Sequence, residues 1–242
     1  MRTIFKVLLF AFICNSLVAA ERVIYKIEPR DNIVYAVGEN EPYTGRYESF
    51  YPDQNIKQQV NFVNGKIHGL FTQFYTEGQK EIEINFSNGN PHGSEKQWYK
   101  SGQLKLQTQY KNSAMHGMQI EWYESGQKRL EVYMKNNNRE GRQIQWYENG
   151  KKHIESDHKD GVLQGELITW GEDGKKLTET NYKDGKKNGN FVRWSGSGQK
   201  QIQGNYVDDN LEGLVTVWND NGEIEKTVQY RGGAIVSSEP ED

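Results

Sequence analysis

Apolar residues in this chain come in short alternating stretches separated by polar turns. From Gly117 onward, Met118, Ile120 and Trp122 alternate with Gln119, Glu121 and Tyr123; further on, Leu130 and Val132 alternate with Arg129 and Glu131. A two-residue period belongs to a β-strand with one buried face. The segment is therefore predicted to hold two short strands, with the Ile120 and Trp122 stripe turned inward. Between the strands stands a glycine that a turn with positive φ would require, at Gly78, Gly102, Gly126, Gly150, Gly174, Gly198 and Gly222. The corresponding residue of the first segment is Gln54, which is expected to turn differently. Val63-Asn64-Gly65, Ser87-Asn88-Gly89, Lys159-Asp160-Gly161 and Lys183-Asp184-Gly185 carry the Asn-Gly and Asp-Gly pairs of tight hairpins. Antiparallel pairing follows. The competing architecture, a parallel β-helix, would ask for near-continuous apolar strands.

The alternation repeats with a strict period of 24. Glycine stands at Gly45, Gly69, Gly93, Gly117, Gly141, Gly165, Gly189 and Gly213. Five residues after each comes Phe50, Phe74, Trp98, Trp122, Trp146, Trp170, Trp194 or Trp218. Such a period marks units that bury their apolar faces only against their neighbours. The predicted fold is all-β: eight 24-residue β-hairpin repeats over residues 45–236, forming an elongated, twisted antiparallel sheet. At two strands per repeat and about 4.8 Å per strand, it would extend on the order of 75 Å. The column glycines and the tryptophans are assigned structural roles, the tryptophans as core sharing a face with Ile120, Ile144, Ile168 and Val192. Residues 21–44, with Ile33 to Val37 as a plausible strand, read as an amino-terminal cap, and residues 237–242 as a short acidic tail.

Composition adds a compartment. Arg2 and Lys6, the apolar run Val7 to Ile13, and Val18-Ala19-Ala20 read as a secretory signal peptide over residues 1–20. The apolar run is short for a membrane anchor, which needs about 20 residues, and the bulky Phe12 and Ile13 before Cys14 do not suit lipidation. Export to the periplasm or the exterior is the expectation. Loss of Arg2 and Lys6 would take the 30 basic residues to 28 against 33 acidic ones, a net charge of −5. Loss of Cys14 would leave no cysteine, and with it no disulfide, thiol nucleophile or cysteine-ligated zinc. An evenly spread acidic charge argues against nucleic acid as a partner and disfavours anionic membrane.

The succession Gly-x4-Trp-Tyr-x2-Gly-Gln-Lys, a seven-residue strand ending in an aromatic, Asn-Gly-Lys and a closing His-Gly or Glu-Gly resembles the bacterial variant of the MORN repeat. The Pro42-Tyr43-Thr44-Gly45 entry is similar to that family too. The likeness covers roughly residues 42–236 and extends to the YwqK-like antitoxin and immunity proteins. It implies a scaffold for protein–protein interaction, an immunity role among the possibilities, with binding carried by the variable positions. A cytoplasmic antitoxin would not carry a signal peptide, so that role requires a toxin acting outside the cytoplasm.

Candidate chemistry is sparse. His68, His92 and His116 share one repeat position, but hairpins about 10 Å apart cannot bring two ligands to one zinc ion. They read as turn residues, as do Glu140, Gln164, Asn188 and Glu212 in later repeats. Glu155 and Glu179, 24 apart, read as a solvated face and not as an acid and base pair. No nucleophile elbow, zinc-protease helix or phosphate loop occurs. The expectation is therefore no catalytic residue, no metal and no cofactor. Tyr51, Tyr75, Tyr99, Tyr123 and Tyr147 point away from the tryptophans. Tyr75, Tyr99, Tyr123 and Tyr147 are the candidate partner-binding residues, with ordinary sheet packing as the equal alternative. The expected partner is another protein, bound by a monomer; a cell-wall or surface glycan is the alternative ligand, and an envelope membrane the third.

Overall fold

The computed structural model describes residues 22–240. Twenty strands form one sheet, Ile27–Arg30 and Ile33–Ala36 form a separate hairpin, and no helix occurs among the described residues. The proposed signal peptide lies outside these residues, as do Glu241 and Asp242 of the expected tail.

Each repeat is one hairpin, as in Gly117–Trp122 with Lys128–Lys135, and each hairpin pairs antiparallel with the next, Lys128–Lys135 against Asn138–Trp146. Spatial order thus follows chain order from Gly45–Phe50 to Ala234–Pro240. Antiparallel ladders throughout the array exclude the β-helix. The return turns place two consecutive residues at positive φ, as at Asn64 and Gly65 (49° and 73°) or Asn136 and Asn137 (51° and 68°), which is the mirror-image turn that matches strand twist. In the other turn, the Gly126 amide donates to the Tyr123 carbonyl and the Tyr123 amide to the Gln127 carbonyl, both at 2.9 Å. Gln54 does not turn differently. It takes φ 71° and the same two hydrogen bonds with Tyr51 and Asn55, because register with the next hairpin outweighs its side-chain strain.

A bulge follows this turn in every repeat and decides which residues share a face. Trp122 pairs with Lys128, but Glu121 pairs with Leu130, so Arg129 is an extra residue in the second strand. One extra residue reverses the side of everything beyond it. Ile120 consequently faces Glu131, and Val132 faces Gln119. The two apolar stripes of a repeat therefore lie on opposite faces. On one face Ile120, Glu131, Ile144, Glu155, Ile168, Glu179 and Val192 succeed one another across the strands. On the other, Gln119, Val132, Gln143, Ser156 and Leu167 do so.

The second face is the more deeply buried. Val60, Thr108, Val132, Gln143, Ser156, Val215 and Val228 all lie there, with Val132 only 1% exposed. Among the described residues, no second layer covers this face beyond the amino-terminal hairpin. It is called the inner face below. The tryptophans share the outer face with Ile120, Ile144, Ile168 and Val192 as expected, but they are half-buried and are not the core.

The segment before Gly45 is built onto the start of the sheet. Val23–Ile24 pairs in parallel with Arg46 and Tyr47. The hairpin docks by hydrogen bonds from the Val34 amide to the Gly65 carbonyl and from the Tyr43 amide to the Val34 carbonyl. Tyr43, 1% exposed, packs with Ala36, Val60 and Phe62, and its hydroxyl lies 2.7 Å from the Arg22 carbonyl and 2.8 Å from that of Arg46. At the other end, Ala234–Pro240 pairs with Ile224–Arg231 as far as Lys226 and Pro240. Residues 237–240, expected as part of a tail, are thus in a strand, launched by Gly232 and Gly233 in the same return turn as every earlier repeat.

Candidate functional site

On the outer face a lysine stacks on the tryptophan of the next repeat in five repeats, and in four of them it also meets a carboxylate. The Lys128 ammonium sits 5.8 Å from the Trp146 ring centroid and Lys152 5.5 Å from that of Trp170; Trp98, Trp194 and Trp218 have Lys80, Lys176 and Lys200 likewise. Four of these ammonium groups bind carboxylates three residues on: Lys80 to Glu83; Lys128 to Glu131 and Lys152 to Glu155, both at 2.5 Å; and Lys176 to Glu179 at 2.8 Å, while Lys200 donates to the Gln203 amide oxygen. Glu155 is therefore not on a solvated face: its side chain is 8% exposed and also pairs with Arg142. Burial with two cations makes it a structural anion.

The tyrosines lie at the turn edge of the inner face. Their hydroxyls donate to the main-chain carbonyl 23 residues on: Tyr51 to Phe74, Tyr75 to Trp98, Tyr99 to Trp122, Tyr123 to Trp146 and Tyr147 to Trp170, at 2.8 to 2.9 Å. Each therefore staples its hairpin to the next. The rings are half-buried; Lys105 lies over Tyr99, and Tyr147 stacks on His153 at 4.2 Å. The series ends where Gly171, Ser195 and Asn219 replace tyrosine.

In several repeats the residue before the column glycine acts on the following return turn, whereas His116, expected to do the same, leaves its Nδ1 buried without a hydrogen-bond partner. Glu140 accepts from the Asp160 amide and Gln164 from the Asp184 amide at 2.9 Å, and Glu212 from the Gly232 amide at 2.7 Å; His68 Nδ1 stands 3.5 Å from the Asn88 amide. This bond to Asp160 holds the Glu140 carboxyl below its ordinary range. No group of three or more His, Cys, Asp or Glu side chains among the described residues could hold a metal ion.

Along the inner face, burial and chemistry vary from repeat to repeat. Near the start, the hairpin and the first two repeats enclose a cleft of about 590 Å³ lined by Ile27, Val34, Tyr47, Val60, Phe62 and Phe71 among others. Farther along, Glu95 is 6% exposed, and burial with a hydrogen bond to that carboxylate pushes the Tyr110 phenol up to about 12. In the middle, Thr108 Oγ1, Gln143 Oε1 and His158 Nδ1 are buried without a hydrogen-bond partner. Burial and nearby Arg139 lower the His158 pKa, against a smaller opposing effect of Asp157. A second hollow of about 300 Å³ opens around Phe191 and Tyr206.

Neither hollow was legible in the sequence. The first depends on where the amino-terminal hairpin docks. The second had one signal: Gly204 interrupts a column otherwise filled by Val60, Ile84, Thr108, Val132, Ser156, Thr180 and Val228.

The profile of the MORN repeat variant family matches six segments of the chain, residues 43–64, 67–88, 91–112, 115–136, 139–160 and 211–231. Together they span more than half of its length. Residues 161–210 lie between matched segments, yet carry the same hairpins and bulges. A search of curated proteins returns no match.

Proposed function

The chain belongs to the MORN repeat variant family, whose repeats serve as binding and scaffold units, and on that premise we propose that it is an exported scaffold that binds another protein through its inner face. One observation carries the choice of face. The lysine–tryptophan contact recurs at one place along the outer face, whereas the inner-face column Tyr47, Phe71, Glu95, Gln119, Gln143, Leu167 and Phe191 changes in size, polarity and charge, and the clefts of about 590 and 300 Å³ open on that face. Repeated positions stack an array; varied positions distinguish partners. The half-exposed rings of Tyr75, Tyr99, Tyr123 and Tyr147 border this face and are the proposed contact row. Contact there would use ring faces and edges, since the hydroxyls already bond main chain.

The leader-like segment 1–20 supports export, and the resemblance to YwqK-like proteins supports an antitoxin or immunity role against a toxin acting outside the cytoplasm. Two measurements test the proposal. Fractionation of cells making the full chain should find a mature protein beginning at Glu21 outside the cytoplasm; a cytoplasmic protein retaining Met1 would refute export. A photo-crosslinking residue at inner-face Gln97 should trap one discrete protein in those cells, while the same residue at outer-face Lys96 should not. Equal labelling from both positions, or lipid as the sole adduct, would refute the proposed face and partner.

A further inference from the structure

The hollow around Phe191 has a composition that selects a ligand. Its lining includes Thr178, Thr180, Lys187, Phe191, Arg193 and Tyr206 and contains no acidic residue. Neither of its cations takes part in an ion pair among the described residues, although twelve such pairs occur elsewhere. The Lys187 ammonium instead sits 5.0 Å from the Tyr206 ring centroid, and that ring tilts against Phe191 at 4.6 Å. The aromatic floor exists because residue 204 is glycine. A Cβ there would lie 2.8 Å from Phe191 Cε1 and 2.8 Å from Val215 Cγ2, so a branched residue, usual in this column, would displace the Phe191 ring.

We propose that this hollow is an anchor site for an acidic residue with an apolar neighbour, presented by an extended segment of a partner protein: the carboxylate meets Lys187 and Arg193, and the apolar side chain rests on Phe191 and Tyr206. The inference depends on the inner face being a protein-binding surface. Charge complementarity carries it. The chain as a whole is acidic, with a net charge of −3, so its overall field does not draw in anions. Two cations without carboxylate partners are thus a local feature, and their attraction strengthens where an aromatic floor excludes water. At about 300 Å³ the hollow is at the small end of ligand pockets; it suits one or two side chains better than a whole lipid or oligosaccharide.

The test uses an acetylated octapeptide of alternating glutamate and phenylalanine, fluorescently labelled, with a glutamine–phenylalanine octapeptide as control. Anisotropy at low salt should show the acidic peptide binding about tenfold more tightly. Lys187→Gln combined with Arg193→Gln should abolish that preference, and Lys128→Gln with Lys152→Gln on the outer face should leave it intact. Arg193→Gln alone guards against loss of fold, since Arg193 is exposed and makes no ion pair, and should weaken binding several-fold at an unchanged thermal midpoint. Equal affinity for the two peptides, or indifference to Arg193→Gln, would overturn the assignment. So would phosphatidylglycerol vesicles that bind through Lys187 and Arg193 while the acidic peptide does not. If the Gln97 crosslink persists while the peptide test fails, the inner face remains a protein-binding surface and only this anchor is lost.

Discussion

At the scale of the residue, backbone conformation and one buried imidazole offer the sharpest tests. Gln54 occupies at φ 71° a place filled in later repeats by glycine, such as Gly78 at 89°. A left-handed conformation costs an L-residue about 1 to 2 kcal/mol, so Gln54→Gly should raise stability, by up to about 1 kcal/mol once the greater freedom of glycine in the unfolded chain is counted. Chemical denaturation should show a higher midpoint; a lower one would mean that the Gln54 side chain makes compensating contacts. His158 governs acid sensitivity. Its folded pKa lies below the ordinary value of about 6.5, so below that pH the unfolded chain binds the extra proton and stability falls until the folded pKa is reached. His158→Tyr, which installs the residue found at Tyr182 and Tyr206, should therefore reduce the loss between pH 7 and pH 5. Glu140 and Asp173, whose folded pKa values are also lowered, lose their contribution only as pH falls below the ordinary carboxylate range. An unaltered difference between midpoints at pH 7 and pH 5 would show that His158 is solvated in the folded protein.

At the scale of the element, the hairpin is held by features on two sides. A return turn fixes where its second strand ends, and the tyrosine hydroxyl ties the hairpin's first strand to the tryptophan carbonyl of the next repeat. Tyr123→Phe removes only the hydroxyl and leaves the Trp146 carbonyl without that donor. The expected cost is about 0.5 to 1.5 kcal/mol, or a few degrees in thermal midpoint for a protein of this size. A change of less than half a degree would show that water replaces the bond fully and that the series is not a staple. The alternation in each strand was plain from sequence, and so was the 24-residue unit. The bulge at Arg129 was not. Lysine and arginine before a strand carry no signal that one of them is extra to the ladder, yet that one residue transfers Leu130 and Val132 to the opposite face from Ile120.

At the scale of the whole molecule, the array grows along one axis because, from Gly45 onward, each strand pairs only with the strands next to it in the chain. For about 220 residues a compact globule would have a radius of gyration of about 17 Å. Small-angle scattering of the mature protein should give a clearly larger value; one near 17 Å would require the sheet to fold back on itself. The candidate sites belong to this scale as well. The cleft under the amino-terminal hairpin joins residues of Ile27–Arg30 and Ile33–Ala36 to the first two repeats. The Phe191 hollow joins side chains from consecutive hairpins and depends on a glycine in the third dimension, below the ring.

The sequence by itself determined the repeat, the strand period, the turns and the antiparallel pairing. These follow from φ preferences and alternation inside windows of a few residues, and the period multiplies each local signal. Tertiary structure alone decided which stripe became the more buried, because parity across a bulge is a property of two strands and not of one. It also decided the role of the tyrosine hydroxyls, whose acceptors lie 23 residues away, and the position of two cations that form no ion pair among the described residues, because bond partners and exposure are fixed only when neighbouring hairpins stack.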